Sequence, residues 1–310
     1  MMNYRRLGAV ALVLFSCSQA ATPPAEAPGA PEAAETGGAA PTAPASTSPA
    51  SAERLDAVLA AQSDETNARY PHRHPKETLE FFGIEPGMVV VDTLAGPVWY
   101  AGILADYLGT SGKVIAADYS PEMWTKFGDY TPDPKTKATW VADTTAKMQA
   151  AHGADDAAVA AFQYGAVPDE MAGTVDVVIL SRALHHFMRL ESDGGYMTKA
   201  LADLKKVLKP GGIVGVEQHR APEKNSDASA KGDNGYVKQS AVIAAFQKAG
   251  FELVEASEIN ANPKDQPTEK DMVWRLPPTL GTSKDNPELK AQMEAIGETD
   301  RMTLKFRKPS

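Results

Sequence analysis

The residues able to do chemistry stand where apolar runs end. In the stretch VVVDTLAGPVWYAGILA, Val89 to Ala105, an apolar run meets an acid, Asp92, and a short loop precedes a second apolar run. A strand, loop and helix of this kind brings backbone close to a nucleotide-like ligand and offers it the free N–H groups of the helix start. Only Gly96 stands where two or three glycines would ease that approach. Pro97 removes one N–H and fixes a torsion, and Val98 adds a branched side chain. If a bound ligand requires positive torsions at both places, the cost reaches a few kcal/mol. Of the six histidines, His185 and His186 follow one apolar run and His219 follows another. Imidazole titrates near neutrality and can take a proton from a reacting group. His186, His185 and His219, with Glu217 and Arg220, are therefore the candidates for the substrate side. Neutral imidazoles also bind zinc or copper, and His72 and His74 add to the count. No Cys or paired Asp completes such a set, so no metal is assigned.

The elements needed to position these groups alternate along the chain. Strands are expected at Met88–Asp92, Lys113–Asp118, Val159–Tyr164, Val175–Leu180, Ile213–Gln218, Phe251–Ile259 and Met302–Arg307. Between them lie helical patterns near Ala52–Ala68, at Pro75–Phe82, Trp99–Leu108 and Ser240–Ala249, and one from Met197 stopped by Pro210-Gly211-Gly212. Such alternation implies a doubly wound α/β domain with a mostly parallel sheet. In the last strand Met302, Leu304 and Phe306 alternate with Thr303, Lys305 and Arg307, the pattern of an edge strand with one wetted face. The stretch Phe127–Asp156 shows no clear periodicity and reads as an insert.

Residues 1–17 read as an export signal: a positive start at Tyr4-Arg5-Arg6, a short apolar run, and LFSC ending at Cys17. That ending resembles the bacterial lipobox, which implies a lipid anchor on Cys17, the only cysteine in the chain. Residues 18–52 are mainly Ala, Pro, Thr, Ser and Gly with a few Glu and no aromatic residue, unable to form a core, and read as a tether. Residues 53–310 form the expected globular domain. The net charge of −9 and the lack of a basic stripe argue against a nucleic-acid partner.

The order VVVDTLAG, GKVIAADYSPEM, VDVVILSRALHHF and LKPGGIVGV resembles the class I S-adenosylmethionine-dependent methyltransferases, over nearly all of Arg73–Pro309. A seven-stranded Rossmann-like sheet with an antiparallel final strand is what the resemblance implies. A closer resemblance is to a subgroup of exported bacterial methyltransferases, carried by Arg73-His74-Pro75, Trp99-Tyr100, His219-Arg220-Ala221 and Lys305-Phe306-Arg307-Lys308-Pro309. The loop centre departs from that subgroup at Pro97 and Val98.

The resemblance implies S-adenosyl-L-methionine as cofactor, held by Asp92, Gly96, Trp99, Tyr100, Asp118, Tyr119, Gln163 and Ser181. Asp118 would accept from the two ribose hydroxyls, Tyr119 would lie on the adenine, and Gln163 would read its edge. His72 and His74 fall in a segment resembling the lid over the cofactor, so that five of the six histidines would face one cleft. The expected activity is methylation of a small or envelope-associated acceptor by a periplasm-facing, lipid-anchored enzyme. The alternative is a non-catalytic protein that keeps the fold with a remodelled cofactor pocket.

Overall fold

The computed structural model describes residues 48–94 and 99–310. The signal segment with Cys17, the tether up to residue 47, and Gly96, Pro97 and Val98 lie outside the described residues.

Eight strands occur in the order β1 (Val89–Thr93), β2 (Lys113–Asp118), β3 (Ala158–Gln163), β4 (Val175–Ser181), β5 (Leu208–Ala221), β6 (Val237–Lys238), β7 (Glu252–Ser257) and β8 (Arg301–Arg307). They lie side by side as β3-β2-β1-β4-β5-β8-β7, with the short β6 paired to β5 outside that row. β1 to β5 run parallel, whereas β8 is antiparallel to both β5 and β7. The sheet has a core on each face, so its central strands are apolar at successive positions rather than at alternate ones. Val90, Val114, Val177 and Ile179 face the helices Pro49–Ala60, Pro75–Phe82 and Tyr100–Leu108. Their neighbours Val91, Ile115, Val178 and Leu180 face the opposite core, with the helix Tyr196–Val207.

Several boundaries differ from those read in the sequence. The first helix begins at Pro49, inside the expected tether, because Ser48 caps it by accepting from the Ser51 N–H. The stop at Pro210-Gly211-Gly212 is part of β5: Gly211 takes the left-handed region at φ 77° and donates its N–H to the Lys308 carbonyl. The last strand is not an edge. β8 is flanked on both sides, and the edge is β7, none of whose residues is fully buried. The polar positions of β8 are covered rather than wetted: Thr303 accepts from buried Asn260, and Lys305 lies over the Phe81 ring. The insert contains a 3-10 turn at Gly128–Tyr130 and two α-helices, Pro134–Ala138 and Trp140–Ala151, the second packed against β3.

Candidate functional site

Strand order reverses between β1 and β4, and an open parallel sheet leaves a crevice beyond the carboxyl ends of the strands at that point. Asp92, Asp118, Ser181 and Glu217 all stand at those ends. Asp92 is 4% exposed, and burial pushes its carboxyl up to about 7 against the opposing influence of Arg182 and the Ala101 N–H. Trp99 precedes the helix Tyr100–Leu108 and provides no side-chain cap; Asp92 accepts from the Ala101 N–H of the first turn instead. The Trp99 ring lies against Tyr70 and Tyr100 with the Arg73 guanidinium 4.7 Å from its centre. Tyr100 is buried.

Asp118 points into a ring of donors. Its Oδ1 accepts from the Tyr119 N–H and from Trp124 Nε1, and its Oδ2 lies 2.7 Å from Lys137 Nζ. Lys137 belongs to the insert and also sits 4.1 Å over the Trp124 ring. Gln163, expected to read an adenine, donates from Nε2 to the Lys137 carbonyl. The insert thus satisfies in this conformation the polar groups the sequence assigned to an adenosine. Tyr119 does not offer a face to an adenine: it is fully buried and stacks at 23° on Phe127. Its hydroxyl donates to the Ala183 carbonyl and lies 2.7 Å from His186 Nδ1.

Beside this position lies a cavity of about 400 Å³. His185, His186 and His219 line it together, as does Ser181, whose hydroxyl donates to Glu217 Oε2 at 2.7 Å. His72 and His74 do not join them. They line a smaller hollow of about 190 Å³ with Asn260 and Asn262, so three histidines share the cleft rather than five. Each of the three is held neutral, chiefly by burial, with His185 pushed down to about 4, His186 to about 2, and His219 well below the usual value. Strong general-base chemistry is therefore not what these imidazoles provide. They offer fixed hydrogen-bonding positions instead. Because Tyr119 gives its proton to Ala183, His186 must donate from Nδ1 to the tyrosine oxygen, which leaves Nε2 as its lone-pair nitrogen. His219 Nδ1 is tied to Thr299 Oγ1 at 2.6 Å.

The acids and bases around the cavity are mostly consumed by one another. Burial pushes Glu217 up, but Arg301 and Arg182 outweigh it and hold the carboxyl below its usual range. Arg301 Nη1 lies 3.2 Å from Glu217 and 3.0 Å from Glu298, and its other amine donates to the His72 carbonyl. Glu298 also pairs with Arg69 and Arg73. Arg220, read as a substrate-side candidate, is committed elsewhere: Asp300 and Glu258 bind it from two directions. The sequence reading passed over Arg182 and Lys137. Arg182 had a signal, a lone cation placed directly after an apolar strand. Lys137 had none, since its insert lacks periodicity.

The strand order with the acids at the sheet's switch point is that of the Rossmann-like methyltransferase fold. Residues 91–216, from within β1 to Val216 of β5, match the family described as a methyltransferase domain. No curated protein matches the chain. Among solved structures, the [4+2]-cyclase SpnF is similar at 16% identity and a TM-score of 0.46, over 77% of this chain and 80% of that one. A SAM-dependent methyltransferase from Aquifex aeolicus is similar at 18% identity and 0.42, over 66% and 93%. The Burkholderia thailandensis 1,6-didemethyltoxoflavin-N1-methyltransferase, solved with 1,6-didemethyltoxoflavin and S-adenosylhomocysteine, is similar at 14% and 0.42, over 84% and 89%.

Proposed function

We propose that this protein is an S-adenosylmethionine-dependent methyltransferase acting on a small molecule held in the cavity beside Ser181. The observation that carries the reading is positional: an acceptor-only carboxylate, Asp118, ends β2 beside β1, and a cavity lined by Leu94 and Ser181 opens beyond β1 and β4, where the strand order reverses. The residues fit the cofactor. Asp118 suits a ribose diol, because a carboxylate can accept from both hydroxyls. The fit requires Lys137 to release Asp118. When bound, S-adenosylmethionine supplies an electrophilic methyl carbon on a sulfonium. The chain's own part is alignment, since an in-line displacement depends on holding donor and nucleophile at the right distance and angle. His185, His186 and His219 hold and orient the acceptor through neutral ring nitrogens.

A second reading, a non-catalytic protein with this fold, is favoured by the Asp118–Lys137 pair, which closes the ribose position without any ligand. Calorimetric titration of the purified chain with S-adenosylhomocysteine separates the two. Binding is expected, and Asp118→Ala should weaken it by about 1–3 kcal/mol, the range for a lost charged acceptor. An absence of heat at millimolar ligand would remove the methyltransferase reading. Export and a lipid on Cys17 are also proposed, on the sequence alone. Labelled palmitate should enter the chain in its host and be absent from Cys17→Ser, and incorporation that persists in the variant would rule the anchor out.

A further inference from the structure

The cavity beside Ser181 carries an unanswered positive charge. Its charged lining residues are Arg69, Arg73, Arg182 and Glu298. Arg69 and Arg73 both pair with Glu298, at 3.1 and 3.2 Å. Arg182 does not pair: among the described residues no carboxylate lies within 4.0 Å of it, and its only side-chain hydrogen bond is a long one from Nε to Ser181 Oγ at 3.4 Å. Both terminal amines of its guanidinium are left for whatever the cavity holds. Leaving a half-buried cation without an ion-pair partner costs free energy unless an anion completes it.

Two further observations mark the cavity as shaped around a bound molecule. Arg182 and Leu94 both line this cavity and both take left-handed backbone, at φ 55° and 58°, which side chains with a Cβ rarely adopt. Strain of this kind persists where the surrounding structure holds a side chain in a required direction. The Arg182 N–H donates to the Glu217 carbonyl at 2.7 Å and fixes that turn. The second observation is His185, a lining residue 3% exposed, whose Nε2 has no partner; because Nδ1 donates to Gln218 Oε1, Nε2 is a bare acceptor that suits an N–H or O–H of the bound molecule and not its anion. Opposite the cation, Val273, Trp274, Pro277 and Pro278 form an apolar wall.

We propose that this cavity binds a small acceptor with a flat apolar body and a carboxylate, the carboxylate seated on Arg182 and the body against Trp274 and the two prolines. A planar guanidinium matches a carboxylate in two parallel hydrogen bonds, which a lysine at this place would not. The assignment rests on the reading of the cavity as the acceptor side. The rival source of a carboxylate is the amino-acid end of the cofactor itself, and the test distinguishes the two.

The thermal midpoint of the purified chain is measured with matched pairs at millimolar concentration: benzoate and benzamide, cinnamate and cinnamamide, indole-3-acetate and indole-3-acetamide. Carboxylates should raise the midpoint and amides should not, a comparison that needs no variant. Arg182→Gln should abolish the difference, with at least about a tenfold loss in affinity for the best carboxylate. Arg182→Lys should keep the preference for carboxylates in weakened form. S-adenosylhomocysteine and 5′-methylthioadenosine, which lacks the amino-acid end, are titrated against wild type and Arg182→Gln. Unchanged affinity for both supports the proposal. A loss confined to S-adenosylhomocysteine assigns Arg182 to the cofactor and overturns it. So does a wild-type midpoint that no carboxylate raises, or that amides raise equally. If carboxylates bind but S-adenosylhomocysteine does not, the methyltransferase reading fails while the anion site stands.

Discussion

A carboxyl sealed at the end of a buried strand holds its proton harder than one in water. Asp92 is the case in point, since burial pushes it from an ordinary 3.8 up to about 7. The folded state therefore binds the Asp92 proton more tightly than the unfolded chain does. Where the unfolded state carries fewer protons, stability falls as pH rises, and here the fall spans the window from 3.8 to about 7. Asn cannot ionise, so Asp92→Asn lacks that fall. Its stability relative to wild type should improve with pH across the window by a total on the order of 2–4 kcal/mol, then level off. Urea denaturation of both proteins at several pH values measures this, and two curves that stay parallel would show that Asp92 is not so perturbed. The same residue illustrates what a sequence conveys at this scale. That an acid ends β1 is plain from VVVD, but its company of Arg182 and Glu217 comes from strands far along the chain and has no local signature.

At the scale of elements, the helix Pro134–Ala138 competes for the group that a cofactor would use. Lys137 Nζ is 13% exposed and Asp118 3%, so the pair is shielded enough to matter energetically. Removing the lysine leaves Asp118 buried with one partner fewer in the free protein and removes the competitor for a bound ribose. Both effects favour ligand. Lys137→Ala should bind S-adenosylhomocysteine about five- to a hundredfold more tightly, equivalent to about 1–3 kcal/mol, while the ligand-free protein melts at a lower temperature. Unchanged or weaker binding by calorimetry would mean that the insert supports the cofactor rather than opposing it. The reason the sequence is silent here is physical. No residue of the helix Trp140–Ala151 is fully buried, so it has no apolar stripe to read, and its neighbour carrying Lys137 is held to the sheet by polar contacts. The central strands, by contrast, need apolar residues on both faces, and their runs are visible without a structure.

For the molecule as a whole, the position of the last strand decides how its parts depend on one another. The alternation of Met302, Leu304 and Phe306 with Thr303, Lys305 and Arg307 reads as one wet face, yet only Arg307 of β8 escapes full burial. Alternation reports which side chains are apolar, and not which are covered. Thr303 is covered through its bond with Asn260, Lys305 through its aliphatic stem, and Arg301 through Glu217 and Glu298. An edge strand can be lost with one row of hydrogen bonds. β8 holds two, joining β5 to β7, and its Arg301 also neutralises the acid beneath the candidate site. A chain ending at Asp300 would therefore lose β7 from the sheet, expose Phe246, which stacks on Phe306 at 4.1 Å, and leave buried Glu217 without its ion-pair partner Arg301. Breaking a buried ion pair from one side costs about 3–5 kcal/mol by itself, a large part of the stability of an ordinary domain. The truncated chain should show no cooperative thermal transition by circular dichroism and no carboxylate-dependent shift, whereas removal of only Lys308–Ser310 should leave a cooperative transition. A truncation at Asp300 that melts cooperatively near the wild-type temperature would place the strand outside the cooperative core.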